Sequence, residues 1–197
     1  MTKSVEFYFD FGSPASYLAA TQLPRLCAEA GAELVWKPML LGGVFQATGN
    51  HSPATIRAKG PYMMQDLARF ARRYGVPFSF NPHFPVNTLL LMRGATGMQM
   101  HEPERFAAYV DAMYRAMWAL PRNLNDPATV EAVLQEAGFD AAKMLGLANA
   151  QDVKDRLKAV TQEAVERGVF GAPTMFVGQQ MFWGQDRLDF VREALDA

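Results

Sequence analysis

Strand-like sequence occurs at the two ends of this 197-residue chain and is missing from the long stretch between them. Near the start, VEFYF (5–9) and ELVWKPM (33–39) are rich in aromatic and β-branched residues, and a helical pattern separates them. Near the end, APTMFVGQQMFW (172–183) predicts a short hairpin, and an amphipathic helix follows over 184–195. We therefore expect a strand–helix–strand unit and a strand–strand–helix unit to build one sheet.

The middle of the chain predicts helices and loops. A loop is predicted over residues 40–55, because they contain several glycines. Irregular structure is predicted over 75–87, because they contain three prolines. Helical spacing covers about 59–74, 88–100, 103–118, 127–137, 140–148 and 151–167. This order of elements is the thioredoxin arrangement with an insertion. The prediction is an α/β fold in which 1–39 and 168–197 form a thioredoxin-like domain and 40–167 form an inserted all-helical domain.

Composition excludes several functional classes. Half of the residues are hydrophobic, a fifth are charged and the formal net charge is -1, so neither disorder nor nucleic-acid binding is predicted. No run approaches the ~18 apolar residues of a membrane span, and the start of the chain lacks the apolar core of a secretory signal. The single cysteine, Cys27, permits no internal disulfide and no CxxC motif. The three histidines are too scattered for a metal site, and we expect a cytoplasmic protein.

Ser13 is the first candidate functional residue, because it follows a strand and precedes a helix. It is a favourable helix N-cap, and Pro14 suits the first helical position. Ser13 could also be a nucleophile, but no histidine lies near it in the sequence to act as a base. A third role is to hold a thiolate, which needs only its hydroxyl and the positive end of the helix.

Two further candidates lie near the C-terminus. Pro173 opens a predicted strand, so it is either an ordinary trans proline or a cis proline of the thioredoxin type, beside which an extended thiol peptide pairs with the backbone. Gln185 and Asp186 open the last helix, where they either cap it or recognise an ammonium group on a ligand. Cys27 falls on the apolar face of the first helix and is expected to be a buried hydrophobe.

Three segments resemble one known family. FYFDFGSPASYLA, FPVNTLLLMRG (84–94) and GVFGAPTMFVGQQMFWGQDRL are similar to the 2-hydroxychromene-2-carboxylate isomerases, which are relatives of kappa-class glutathione transferases and of DsbA-type thiol oxidoreductases. The resemblance covers essentially the whole chain and implies a thioredoxin-like domain with a helical insertion. The DsbA-type cysteine pair is replaced here by Ser13 and its neighbours.

The resemblance also implies residue roles, with glutathione as the cofactor. Ser13, followed by Pro14, would contact the glutathione sulfur, and Ala172 before Pro173 would pair with its cysteinyl part. Gln185 and Asp186 would hold the γ-glutamyl end. Asn50 and Lys59 would reach the rest of glutathione or a substrate carboxylate, and Asn87 would contribute to substrate binding.

The function implied is glutathione-dependent isomerisation of 2-hydroxychromene-2-carboxylate to trans-o-hydroxybenzylidenepyruvate in aromatic-compound catabolism, by a homodimer. The segment MWALPRNLNDP (117–127) differs from the isomerase version, and it borders the substrate side. Three alternatives therefore stay open: a kappa-like glutathione transferase, a non-catalytic binder of thiol peptides, and a serine hydrolase.

Overall fold

The two ends of the chain share one four-stranded sheet in the computed structural model, which describes residues 3–197. Its strands are β1 (Ser4–Phe9), β2 (Glu33–Pro38), β3 (Thr174–Val177) and β4 (Gln180–Trp183), in the order β2-β1-β3-β4. Strands β1 and β2 are parallel, whereas β3 runs antiparallel to both β1 and β4. The predicted thioredoxin-like fold is confirmed.

Helices make up most of the remainder. They are α1 (Pro14–Glu29), α2 (Leu41–Thr48), α3 (Lys59–Tyr74), α4 (Leu89–His101), α5 (Phe106–Tyr114), α6 (Pro127–Glu136), α7 (Ala141–Asn149), α8 (Gln151–Glu166) and α9 (Leu188–Asp196). Short 3₁₀ turns precede α5 at Pro103–Arg105 and α9 at Gln185–Arg187.

Strand β1 separates two cores because its side chains alternate between the faces of the sheet. Val5, Phe7 and Phe9 are fully buried in the larger core, which also takes in α1, α4 and α5. Tyr8 points to the other face and packs with a smaller core under α2 and α8 that includes Phe176. The sheet is therefore covered on both faces.

The prediction of a loop over 40–55 was wrong for its first half, which forms α2. Gly49, with φ +69°, ends this helix in the left-handed conformation that glycine adopts most easily. Gly43 lies so close to α8 that a Cβ atom there would meet Thr161 Cγ2 at 3.2 Å. These glycines serve close packing and helix termination, whereas composition alone suggests a flexible loop.

The helix predicted over 103–118 is also different in detail. After α5 the chain widens into a π-helical turn over Arg115–Ala119, which contains the fully buried Trp118. The Trp118 indole Nε1 donates a hydrogen bond to the Phe11 carbonyl at 2.7 Å. This bond holds the Trp118 ring close to the start of α1. The ring lies there because it belongs to the wider π-helical turn.

Five polar side chains, here called the sheet–helix network, join the sheet to α8: Glu6, Tyr8, Lys37, Glu163 and Arg167. Tyr8 donates to Glu163 Oε1 at 2.6 Å, and Lys37 Nζ lies 3.1 Å from the same oxygen. Arg167 Nη1 lies 2.6 Å from Glu6 Oε2 and 2.9 Å from the Tyr8 hydroxyl. Helix α8 thus contacts the sheet directly, although it falls within the predicted insertion 40–167.

Candidate functional site

A cavity of about 820 Å³ opens where α1, the loop before β3, the start of the 185–187 turn and α3 come together. The described residues around it include eight that the sequence nominated: Ser13, Pro14, Asn50, Lys59, Ala172, Pro173, Gln185 and Asp186. Segments that are far apart in the sequence therefore contribute to one cavity.

Ser13 caps α1 and also reaches across to the loop before β3. Its Oγ accepts a hydrogen bond from Ser16 N at 3.1 Å, as an N-cap does. The same Oγ donates its hydrogen to the Ala172 carbonyl at 2.8 Å. Neither partner can accept a proton as a catalytic base, so these contacts give no support to a serine nucleophile.

The Ala172–Pro173 peptide bond is cis, one of the two alternatives that the sequence leaves open. Among residues 3–197, no group accepts a hydrogen bond from the Ala172 N–H. The Ala172 carbonyl accepts from Ser13, but a carbonyl oxygen can accept a second hydrogen bond. One residue thus offers both a backbone donor and a backbone acceptor to the cavity, which is what pairing with an extended peptide requires.

Gly171 precedes this residue, and its missing side chain makes room for Trp183. A Cβ atom on Gly171 would lie 2.6 Å from Trp183 Nε1. The Trp183 ring also packs against Phe170, with ring centroids 5.0 Å apart. The loop before β3 is therefore held in place from the β4 side.

Asp10 is a buried carboxylate beneath the start of α1, and the sequence analysis missed it. Oδ1 accepts from Gly12 N and Oδ2 accepts from Leu41 N, both at 2.8 Å. Burial raises the pKa of Asp10, although these two hydrogen bonds act in the opposite direction. Because Gly12 and Leu41 both line the cavity, one carboxylate holds two of its walls together. The sequence places Asp10 at the end of a strand but gives no sign that α2 begins beside it.

Gln185 and Asp186 open the 3₁₀ turn before α9, as the sequence suggests, but their environments differ. Gln185 is 5% exposed, whereas Asp186 is exposed and pairs with Arg187 at 3.3 Å. The turn is set by Gly184, whose φ of +106° favours glycine and whose N–H donates to the Pro173 carbonyl at 3.0 Å.

Asn50 and Lys59 border the cavity on the side of α2 and α3. Asn50 Nδ2 donates to the Phe170 carbonyl at 2.8 Å, so its amide ties the segment after α2 to the loop before β3. Lys59 is exposed at the start of α3 and lines the cavity.

Asn87 lies elsewhere. Its Oδ1 accepts from Leu89 N at 3.1 Å at the start of α4, and its N–H donates to Asn125 Oδ1 at 3.0 Å. It does not border the cavity, and both contacts lie at the start of α4.

Three aromatic residues, here called the aromatic wall, also line the cavity, and the sequence analysis did not identify them as a group. Phe80, Phe84 and Trp118 contact one another, with ring centroids between 5.8 and 6.3 Å apart. Trp118 belongs to the segment expected to border the substrate side. Phe80 and Phe84 come from the proline-rich stretch 75–87. Its backbone is irregular, so no helical or strand periodicity predicts that both side chains line the same cavity.

This arrangement has a chemical consequence. The start of α1 favours negative charge, and the Ser13 hydroxyl can donate to it, so a bound thiol placed there would ionise more readily. The apolar wall could take a flat hydrocarbon ring. No cluster of three or more metal-ligating side chains occurs among residues 3–197, and no helix in that range is long and apolar enough to cross a membrane.

Comparison with known proteins identifies the family. The model of the DSBA-like thioredoxin domain matches residues 4–196. The 2-hydroxychromene-2-carboxylate isomerase of Sphingobium xenophagum is 33% identical over 197 residues, covering 99% of each chain. The chain belongs to the DSBA-like thioredoxin family, together with the 2-hydroxychromene-2-carboxylate isomerases.

Two further comparisons widen this placement. A solved 2-hydroxychromene-2-carboxylate isomerase superposes with a TM-score of 0.86 at 32% identity, over 98% of this chain and 94% of that one. Human glutathione S-transferase kappa 1 is 27% identical over 99% of this chain and 92% of its own length. The relatives described here are thus named as enzymes of two kinds, isomerases and transferases.

Proposed function

We propose that this protein is a glutathione-dependent isomerase that converts 2-hydroxychromene-2-carboxylate into trans-o-hydroxybenzylidenepyruvate. The observation that carries the proposal is the hydrogen bond from Ser13, at the start of α1, to the carbonyl of Ala172, in one cavity that also has an aromatic wall. The choice of substrate is supported by the similarity, along nearly the full length, to proteins named 2-hydroxychromene-2-carboxylate isomerase.

The residues present suit glutathione. When bound, glutathione would supply a thiol that adds reversibly to the conjugated double bond of the substrate and leaves again after rotation, without net oxidation or reduction. Ala172 offers its N–H and carbonyl to the peptide backbone of such a ligand. Gln185 and Asp186 offer an amide and a carboxylate to its γ-glutamyl end.

In this mechanism Ser13 donates its hydrogen to the Ala172 carbonyl when no ligand is bound and to the thiolate when glutathione is bound. Its hydrogen is shared with the Ala172 carbonyl, which lies 2.8 Å away, and rotation of the hydroxyl can redirect it to a thiolate. The peptide N–H of a bound ligand can then replace Ser13 as the donor to that carbonyl. Ser13 would stabilise the anion together with the helix N-terminus, and it would leave the thiol to act as the nucleophile.

The substrate ring would lie against Phe80, Phe84 and Trp118, while Lys59 and Asn50, at the rim, are the candidates for its carboxylate. Asn87 is outside the cavity, so a contact between Asn87 and substrate is not part of this proposal. A cytoplasmic homodimer, as the family resemblance implies, is part of it.

The test is a binding and turnover experiment. Calorimetry should detect glutathione binding, and 2-hydroxychromene-2-carboxylate should isomerise only when glutathione is present. S-methylglutathione is the matched control, because it keeps the peptide and blocks the thiol; it should bind without supporting turnover. No binding of either compound would refute the proposal.

The kappa-class transferases provide the second candidate function, since their similarity also spans nearly the whole chain. Analysis of the thiol after turnover separates the two. An isomerase returns all of the glutathione as free thiol, whereas a transferase consumes one glutathione for each electrophile. Binding of glutathione without turnover of any electrophile would favour a thiol-peptide binder.

A further inference from the structure

Tyr74, the last residue of α3, meets Gln185 behind the cavity wall. Its hydroxyl lies 2.8 Å from Gln185 Oε1 and 3.0 Å from the Gln185 backbone carbonyl. Burial raises the pKa of Tyr74 to about 12, and the charges of Asp189 and Asp186 act in the same direction. The hydroxyl therefore keeps its hydrogen at neutral pH and shares this one hydrogen between the two Gln185 oxygens, of which Oε1 is the nearer.

In this arrangement Tyr74 contacts the oxygen of the Gln185 amide and leaves the nitrogen free. A primary amide has one oxygen and one nitrogen, and Tyr74 occupies the oxygen. No group among residues 3–197 accepts a hydrogen bond from Nε2, although Gln185 is only 5% exposed and borders the cavity. Nε2 is not among the fully buried polar atoms of the described chain that lack a partner, so it is accessible and can donate to a ligand in the cavity.

The neighbouring residue has the opposite character. Asp186 is exposed at the same cavity and brings a carboxylate, which can only accept hydrogen bonds when it is ionised. Consecutive residues of one 3₁₀ turn thus present a donor and an acceptor. A carbon that carries both a carboxylate and an ammonium group, as an α-amino acid does, matches this pair.

We propose that Tyr74 is a positioning residue that orients the Gln185 amide, so that Nε2 donates to the α-carboxylate at the γ-glutamyl end of the ligand. This inference rests on the proposed function, because glutathione is the ligand that brings the α-amino acid group. Asp186 takes the ammonium group of the same end. Tyr74 itself does not touch the ligand and acts through Gln185.

The direct test is Tyr74→Phe, which deletes the hydroxyl and keeps the ring against Phe70. We expect the Kd for glutathione to rise about 5- to 10-fold, the loss of roughly one oriented hydrogen bond. Cysteinylglycine, which lacks the γ-glutamyl group, should bind the variant and the wild type equally. The KM for glutathione should rise while kcat at saturating glutathione stays unchanged, a division that general destabilisation does not produce.

Tyr17→Phe is the matched control. The Tyr17 hydroxyl also donates to a backbone carbonyl, that of Pro77 at 2.6 Å, but Tyr17 does not border the cavity. It should lose a comparable amount of thermal stability with no change in the Kd for glutathione. A rise in that Kd equal to the one in Tyr74→Phe would overturn the positioning role.

Variants of Gln185 test the pathway and the orientation. In a Gln185→Ala background, Tyr74→Phe should add nothing to the Kd, since no amide remains to orient; additive effects would contradict the inference. Gln185→Glu should bind glutathione more weakly than Gln185→Ala, because a carboxylate would face a carboxylate. Tighter binding by Gln185→Glu would show that the amide oxygen faces the cavity. This comparison stands even where Tyr74→Phe fails to fold.

The two proposals fail in different ways. A wild type that binds neither glutathione nor S-methylglutathione overturns both. A wild type that binds glutathione, with Tyr74→Phe binding it equally well, overturns only the role of Tyr74.

Discussion

Two groups of polar side chains lie against the same four-stranded sheet and differ in what their hydrogen-bonding atoms contact. In the sheet–helix network, the carboxylates of Glu6 and Glu163 lie beside Lys37 and Arg167, and the Tyr8 hydroxyl both donates and accepts. Around the cavity, the Ala172 N–H and Gln185 Nε2 have no acceptor among residues 3–197. The charged groups of the network pair with one another, whereas the cavity groups leave donors for a ligand.

The difference shows that charge alone is a poor guide to a functional site. The network and the cavity lining each hold four charged side chains, yet within the network these groups pair with one another, and the pairing shifts the pKa of Glu163. Burial raises the pKa of Glu163, but hydrogen bonds from Tyr8 and Lys37 and the charges of Lys37 and Arg167 outweigh it and lower the pKa. The lowered pKa of Glu163 thus indicates that the paired groups of the network stabilise one another, and it is not a sign of a binding site. Unused donors in a concave, partly apolar wall are the more specific sign of binding.

The largest expected effect comes from Ser13→Ala, which removes the hydroxyl from the cavity side of the comparison. Turnover should fall roughly 100-fold, the scale seen when one donor to a reacting anion is lost. The Kd for glutathione should change far less, because the peptide contacts remain. Steady-state kinetics and calorimetry measure the two quantities.

Ser16→Ala is the control for that variant. Ser16 lies on the first turn of the same helix, and its Oγ is buried without a hydrogen-bond partner among the described residues. Its removal should leave kcat within about twofold of the wild type, as for a change outside the reacting groups. Turnover in Ser13→Ala equal to that in Ser16→Ala would refute the thiolate-holding role.

The next effect concerns the network side. Arg167→Met removes the bonds to Glu6 and Tyr8 but keeps an apolar stem near Phe176, over which the guanidinium lies at 3.8 Å. We expect a loss of about 2 kcal/mol in the free energy of unfolding, between the values for exposed and fully buried ion pairs. The Kd for glutathione should stay as in the wild type. Urea unfolding gives the first value and calorimetry the second.

Arg192→Met supplies the matched comparison, because Arg192 pairs with Asp196 and Glu29 at the surface. It should cost no more than about 0.5 kcal/mol. If Arg167→Met weakened glutathione binding as strongly as it lowers stability, the separation of the two regions would be wrong.

Asn50→Ala should have a smaller effect, because Asn50 is exposed and makes one bond to the Phe170 carbonyl. We expect about 0.5–1 kcal/mol less stability and a Kd for glutathione about threefold higher, since the loop before β3 loses one restraint. Asn149→Ala is its control: that amide also donates to a backbone carbonyl, that of Leu145 at 2.9 Å, but within α7. An equal Kd in Asn50→Ala and Asn149→Ala would show that Asn50 has no effect on the cavity.

The smallest expected effect is a dependence on pH. Burial raises the pKa of Asp10, so the folded chain holds that proton more tightly than the unfolded chain does. This contribution to stability is present below the unfolded pKa and is lost as the pH rises through the folded pKa. The stability of the wild type relative to Asp10→Asn should therefore fall as the pH rises, which thermal unfolding across a pH series measures.

Asp126 gives the opposite sign and so serves as the control. A hydrogen bond from Thr129, followed by one from the Ala128 N–H, lowers its pKa at the start of α6. Its contribution is present above the unfolded pKa and is lost as the pH falls. The wild type relative to Asp126→Asn should thus lose stability toward low pH. Parallel slopes for the two variants would contradict the assignment for Asp10.

Much of the fold could be predicted from the sequence because its signals are local. The β1 pattern, the N-cap at Ser13 and the hairpin after Pro173 each depend on residues close together in the chain, and each formed as expected. Helix α2 was not predicted, because Gly43 packs against the distant Thr161 and the N–H of Leu41, the first residue of α2, donates to Asp10. Local sequence patterns do not show which distant residues will contact a helix in the folded chain.

In the candidate site, too, residues with a local sequence signal were predicted and residues defined by distant contacts were not. Residues in recognisable motifs, such as Ser13 and Gln185, do line the cavity. Asp10 and Tyr74 were missed because their importance comes from the atoms that they contact across the fold, at Leu41 N and Gln185 Oε1. Asn87 shows the opposite case, since it belongs to a suggestive motif but lies outside the cavity, at the start of α4.

The position of the single cysteine bears on how such an enzyme would tolerate peroxide. Cys27 is 2% exposed, and burial raises the pKa of its thiol to about 11, so little of it is in the reactive thiolate form. A reactive sulfur that arrives with glutathione would also depart with it. Oxidative damage would then fall on a small molecule that the cell can renew, and each new turnover would begin with a fresh sulfur atom.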